Sequence, residues 1–165
     1  MSHTDSIHEV FIALGTNLGD CAANLRKAIE QLSEQVSISA VSSLYETPPW
    51  GVTEQPYFLN QVVRVATALP PLELLTFLKQ IEQEMGRVET IRFGPRVIDL
   101  DILLYEDWQV NLPQLEIPHP RMCQRAFVLV PLAELAPQLV IPGDDKTVAQ
   151  CLAELSQDGI TKYQA

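Results

Sequence analysis

The stretch "IRFGPRVIDLDILLY", residues 91–105, sets two carboxylates, Asp99 and Asp101, two positions apart in an apolar run. Side chains alternate along a strand, so Ile98, Leu100 and Ile102 turn to one face and both aspartates to the other. Neighbours on one face are about 7 Å apart at Cα, from where two carboxylates can converge on one Mg2+ or bridge two ions about 3.5–4 Å apart. Arginines at 87, 92 and 96 come just before. Divalent cations on carboxylates with guanidinium groups beside them are what a triphosphate requires. A solvated sheet face, or plain salt bridges between Arg96 and the aspartates, fits the same pattern. His119 in "IPHP" is either a donor to phosphate oxygen or an imidazole that fixes a turn.

A second group of residues has a different chemistry. Pro48 and Pro49 of "TPPWG" stiffen an extended segment, and Asn60 stands in an otherwise apolar strand. A buried amide needs partners. These can be backbone groups, or the polar edge of a flat heterocycle stacked between aromatics such as Phe58 and Phe127. "GTNLG" at 15–19 lies where glycine-rich loops often hold phosphate, but it is neither a Walker A loop nor G-x-G-x-x-G. A tight turn is the expectation there.

The elements that must position these groups are legible from periodicity. Residues 9–14 predict a strand, and Asp20 caps a helix whose stripe is Leu25, Ala28, Ile29 and Leu32. Strands follow over 36–45 and 57–67. A helix from Pro71 carries Leu74, Leu75, Leu78, Ile81 and Met85 at helical spacing and closes at Gly86, ahead of the aspartate strand. This order predicts an α+β fold with a ferredoxin-like βαββαβ core, an antiparallel sheet and further C-terminal helices in an α/β/α layering. The last third is punctuated by proline, and one of its helices begins at Thr147, with Val148, Leu152 and Leu155 inward.

Bulk properties narrow the classes. A length of 165 residues suits a single domain spanning 1–165, and no apolar run approaches the roughly 20 residues of a membrane helix. No charged-then-apolar leader opens the sequence, and Cys21, Cys123 and Cys151 form no C-x-x-C pair, so reduced thiols in the cytoplasm are expected. The net charge of −10 argues against a nucleic-acid binder. Five of the eleven basic residues are nonetheless arginines between 87 and 125, which leaves room for a local anion site.

Taken in order, "GTNLGD", "YETPPWG", "FLNQVV", "IEQEMGR", "RFGPRVIDLDILLY" and "IPHPRMCQRAFVLVPLAELAP" make the chain resemble the 6-hydroxymethyl-7,8-dihydropterin pyrophosphokinases of folate biosynthesis, from about residue 9 to 155. The resemblance implies transfer of pyrophosphate from ATP to the pterin hydroxymethyl group, releasing AMP. It implies Asp99 and Asp101 as ligands of two Mg2+ ions, with Arg87 and Arg92 joining them as catalytic residues. Arg96, His119 and Arg125, again with Arg92, would hold phosphate oxygens, and Glu82 and Ile102 would lie near the nucleoside. Thr47, Pro48, Trp50, Asn60 and Phe93 match pterin-binding positions, with Phe58 and Phe127 as the stacking pair.

The chain departs from some relatives at Glu89 and Thr90, at Phe93 and Phe58, and at Gln114 and Glu116, where basic, tryptophan, tyrosine or hydroxyl side chains occur. A monomer acting on small molecules, with no nucleic acid and no membrane, completes the expectation. The competing readings are a metal-dependent phosphohydrolase and a non-catalytic ferredoxin-like regulatory module. The first has no use for the "TPPWG" wall with Asn60, and the second favours a positive domain.

Overall fold

Residues 6–49, 54–86 and 96–164 are described in the structure, a computed structural model. The central strand β1 (His8–Thr16) pairs antiparallel with β4 (Phe58–Thr67) on one side and β5 (Asp99–Tyr105) on the other. Beyond β4 lie β2 (Ser37–Val41) and β3 (Tyr45–Thr47), both hydrogen-bonded to it, and a two-residue β8 (Thr161–Lys162) extends β3. With β2 and β3 together in the place of one strand, the order is that of the predicted ferredoxin-like core.

The single strand expected over 36–45 is therefore broken at Ser42. The Ser42 hydroxyl accepts the Val62 N–H at 2.9 Å, and the Ser42 carbonyl is taken by Gln61 Nε2 at 2.9 Å. Side-chain bonds interrupt the regular ladder at that point.

Helices cover both faces. On one face α1 (Cys21–Leu32) and α2 (Pro71–Glu84) pack on Val10, Ile12, Leu14, Val63 and Leu100. Asp20 caps α1 by accepting the Ala23 N–H at 3.1 Å, and Gly86, at φ +88°, ends α2 where a Cβ would be strained. On the other face α3 (Ala126–Leu135) and α4 (Val148–Ala153) pack on Phe11, Val62, Leu103 and Leu104.

Pro131 lies inside α3, where a proline costs roughly 3 kcal/mol. Val128, Leu129 and Leu132 are buried, and at about 1.5–3 kcal/mol each they outweigh that cost. α4 starts as expected at Thr147, whose capping box with Gln150 is complete. A hairpin of β6 (Val110–Leu112) and β7 (Leu115–Ile117), unforeseen from the sequence, leads into the "IPHP" turn, in which the Ile117–Pro118 peptide is cis.

Candidate active site

Three neighbouring strands bring the two groups of candidate residues into one row. Asn60 on β4 stands opposite Gly15 on β1, and Gly15 stands opposite Asp99 on β5. In the next row Ala13 stands between Val62 and Asp101. With strands about 4.8 Å apart, the amide and the carboxylate rise roughly 10 Å from each other across a floor of glycine and alanine.

That floor belongs to a cavity of about 390 Å³. Its walls include Thr47, Pro48 and Phe58 on the amide side, and Arg96, Asp99 and Asp101 on the carboxylate side. Arg125, Phe127 and His119 come over the top from the start of α3 and the "IPHP" turn, and Glu82 comes up from α2.

Asn60 is buried, and its Nδ2 donates to the buried Thr47 hydroxyl at 2.6 Å. A Cβ placed on Gly15 would lie 3.0 Å from Asn60 Oδ1, so any larger residue would displace the amide by a few tenths of an ångström. On the other side Asp99 is half-exposed, Asp101 is exposed and the intervening Leu100 is buried, as strand alternation predicts. Arg96 Nε lies 3.9 Å from Asp99 Oδ1. Burial works against the charge on Arg125, which the neighbouring Asp101 and Asp99 help to sustain. Its guanidinium carbon sits 5.6 Å from the Phe127 ring centre, within cation–π range.

Glu82 is buried, and its Oε2 accepts the Leu100 N–H at 2.8 Å on the edge of β5 that faces away from β1. Ile102 does not line the cavity with its side chain, which is buried in the α1–α2 core. By strand alternation its backbone shares the outer edge with Leu100. Arg87, Arg92, Trp50 and Phe93, together with Glu89 and Thr90, lie outside the described residues.

Burial, with Arg125 and Arg121 nearby, pulls the His119 imidazole down to about 4, against a smaller opposing pull from Glu116. Its Nδ1 accepts the Arg121 N–H at 3.2 Å, so the neutral ring carries its proton on Nε2. The His119 resonances are expected to show no titration between about pH 5 and pH 8, as NMR would detect. Because the folded value lies below the unfolded one, the unfolded chain binds the extra proton between about 4 and 6.5. Stability from this group is complete above that window and falls as pH drops through it, a slope that His119→Gln should remove.

Some positioning residues gave no functional signal in the sequence. Asn17 of "GTNLG" is a buried junction rather than a phosphate loop residue. Its Oδ1 accepts the Arg96 N–H at 2.8 Å and its backbone N–H donates to the Arg96 carbonyl at 3.0 Å. Its Nδ2 donates to Gln55 Oε1 at 2.8 Å and to the Pro56 carbonyl at 3.0 Å. Lys79 of α2 also lines the cavity and was not singled out from the sequence.

Residues 11–137 match the family model described as 7,8-dihydro-6-hydroxymethylpterin-pyrophosphokinase (HPPK). The 2-amino-4-hydroxy-6-hydroxymethyldihydropteridine pyrophosphokinase of Methylorubrum extorquens is 48% identical over 156 residues, which cover 93% of this chain and 98% of the relative. The Bacillus subtilis protein of the same name is 45% identical over 156 residues, covering 93% and 89%. Among solved structures, Plasmodium falciparum HPPK-DHPS with pteroate superposes with a TM-score of 0.75 at 19% identity. That match covers 93% of this chain but only 43% of the Plasmodium chain, and it supports the fold alone. Family model and relatives agree with the order of motifs along the sequence, and the chain belongs to the 7,8-dihydro-6-hydroxymethylpterin-pyrophosphokinase family.

Proposed function

We propose a division of labour within the cavity for the reaction of this family, the transfer of pyrophosphate from ATP to 6-hydroxymethyl-7,8-dihydropterin in folate biosynthesis. The pterin lies on the Asn60 side and the triphosphate on the Asp99–Asp101 side, with the reacting hydroxymethyl group above Gly15 and Ala13. The observation that carries this reading is the row Asn60, Gly15, Asp99 across three paired strands.

Thr47, Pro48 and Asn60 read the polar edge of the heterocycle, and Phe58 and Phe127 stack on its faces. Trp50 and Phe93 join them by resemblance. Asp99 and Asp101 offer hard oxygen donors on one accessible face, which fits two Mg2+ ions. When bound, these ions neutralise triphosphate charge and align the displaced and attacking oxygens.

Arg96 and Arg125 hold phosphate oxygens, and neutral His119 donates from Nε2 without competing for a proton. Arg87 and Arg92 are proposed beside them from the resemblance. Glu82 and the Ile102 backbone border the nucleoside. The pterin hydroxyl attacks the β-phosphorus and AMP leaves, so the protein supplies position and charge and no covalent nucleophile.

We assign this activity to a single domain over 1–165, acting as a cytoplasmic monomer without nucleic-acid or membrane partners. Both faces of the sheet are covered by the chain's own helices, and the three cysteines are unpaired. No helix among the described residues is long and apolar enough to cross a membrane. Mixing the protein with Mg2+-ATP and the hydroxymethyl pterin should give AMP only when the pterin is present. Release of ADP, or phosphate release independent of the pterin, would return the phosphohydrolase reading.

The two halves of the cavity are separable by mutation. Asn60→Ala should weaken pterin binding by roughly 10- to 100-fold, the equivalent of about 1–3 kcal/mol for a lost buried polar partner. Binding of a non-hydrolysable ATP analogue should change little. Gly15→Ala should act in the same direction, by pushing the Asn60 carbonyl aside. Equal losses for both ligands in calorimetry would contradict the division.

A further inference from the structure

Two of the three cysteines, 28 positions apart in sequence, meet in the fold. Cys123 lies in a 3-10 turn over Met122–Gln124, just ahead of α3, and Cys151 lies in α4. Asp144 reaches them from the tight turn before α4. Cys123 Sγ is 3.4 Å from Asp144 Oδ2 and Cys151 Sγ is 3.7 Å from the same oxygen, and the three ligand atoms all lie within 4.8 Å of one another. The turn holds Asp144 in place. Ile141 N–H donates to the Lys146 carbonyl at 2.8 Å, Asp144 N–H to the Ile141 carbonyl at 3.1 Å, and Gly143 and Asp145 supply φ values of +84° and +57°.

We propose that Cys123, Asp144 and Cys151 form a binding site for a thiophilic divalent cation of the zinc class, separate from the Asp99–Asp101 pair. Zinc bonds of about 2.3 Å to sulfur and about 2.0 Å to oxygen in a tetrahedron put sulfur and oxygen about 3.5 Å apart and the two sulfurs about 3.8 Å apart. The sulfur–oxygen separations of 3.4 and 3.7 Å are already at that spacing, and the two sulfurs lie within 4.8 Å of each other. Two thiolates select such an ion over Mg2+, which prefers oxygen alone. Cys151 is buried, Cys123 half-buried and Asp144 exposed, so the protein supplies three ligands and the outward fourth position falls to water.

Without the ion both thiols keep their protons and donate to Asp144. Burial first, then hydrogen bonding with Cys151 and Asp144, pushes the Cys123 thiol up to about 12, and burial also raises Cys151. Binding must therefore displace two protons. Two thiolates, a carboxylate and a dication leave one net negative charge, beside the Lys146 ammonium, which is itself bonded to Glu154 Oε2 at 2.7 Å and acts more weakly on Asp144 and Cys151. The ion would tie the start of α3 to α4. Arg125, two residues after Cys123, faces the cavity from that start.

The test uses the chelator-treated full chain in reductant, with Mg2+ in excess to occupy hard oxygen sites, titrated with Co2+ and then Zn2+. One Co2+ per chain should give a near-ultraviolet sulfur-to-cobalt charge-transfer band, which one equivalent of Zn2+ removes. Affinity should rise with pH by up to about a hundredfold per unit while two protons are displaced. The band should vanish in Cys123→Ala and in Cys151→Ala. Asp144→Asn, an exposed change that spares the core, should weaken binding at least tenfold. No charge-transfer band in the wild-type chain, or a band that persists in Cys123→Ala, would overturn the site.

Discussion

Asp101→Ala is expected to lower kcat for pterin-dependent AMP formation by about a thousandfold or more while the protein still melts cooperatively near the wild-type temperature. Metal stabilisation of phosphoryl charge contributes several kcal/mol, and each 1.36 kcal/mol is a factor of about ten in rate. The fold should tolerate the change because Asp101 is exposed, with the core packed by Leu100 and Ile102 on the opposite face of the strand. Asp99→Ala should behave alike. If the carboxylates act as one unit, the double variant should be little worse than either single one. Wild-type turnover in either single variant would remove the metal assignment.

Asn17→Ala should lower stability by about 3 kcal/mol. It deletes three side-chain hydrogen bonds at a 2% exposed position and leaves the Arg96 N–H and the Pro56 carbonyl without that partner, each such orphan costing about 1–3 kcal/mol. A domain of this size should then melt roughly 6–12 °C lower. Turnover should fall as well, because Asn17 holds the backbone of Arg96, three residues before Asp99. Asn17→Asp separates the arms of the junction, keeping the acceptor for Arg96 N–H and losing the donor to Gln55 and Pro56. It should retain more activity than alanine at similar stability. A cost below about 1 kcal/mol for Asn17→Ala in urea unfolding would show that the junction is redundant.

What the sequence disclosed about the fold was what repeats locally. The stripe of α1, the Asp20 cap, the Pro71 to Gly86 span of α2 and the alternation around Asp99 and Asp101 each depend on residues a few positions apart. Features made by distant partners were not legible. The break between β2 and β3 needs Val62 and Gln61 to answer Ser42, and Glu134 of α3 to hold Ser43 and the Tyr45 hydroxyl.

α3 was hidden because Pro131 contradicts helix propensity, and only the burial of its neighbours overrides it. Around the cavity, residue type alone singled out Asp99, Asp101, Asn60, Phe58 and Phe127, which the fold gathers along its walls. Asn17 and Gly15 looked like turn residues, since their roles are set by Arg96 and Asn60 far along the chain. The meeting of Cys123 with Cys151 could not be seen before α3 and α4 were packed together.

The bond from Glu82 to the Leu100 N–H also occupies a backbone donor on an edge where another copy of the chain could add. Among the described residues β5 is an outermost strand, and an outermost strand with open amides is a template on which another molecule can add. Here one amide is occupied by a carboxylate from α2, and the Leu103 carbonyl further along takes the His119 N–H at 2.9 Å. Among the described residues the strand is thus shielded by side chain and turn rather than by another strand. The Glu82 part of that shield lasts only as long as α2 stays docked. Heating that loosens α2 before the sheet melts would bare a strand rich in leucine and isoleucine, so the first event of thermal inactivation in concentrated solution should be strand-to-strand association of partly folded molecules.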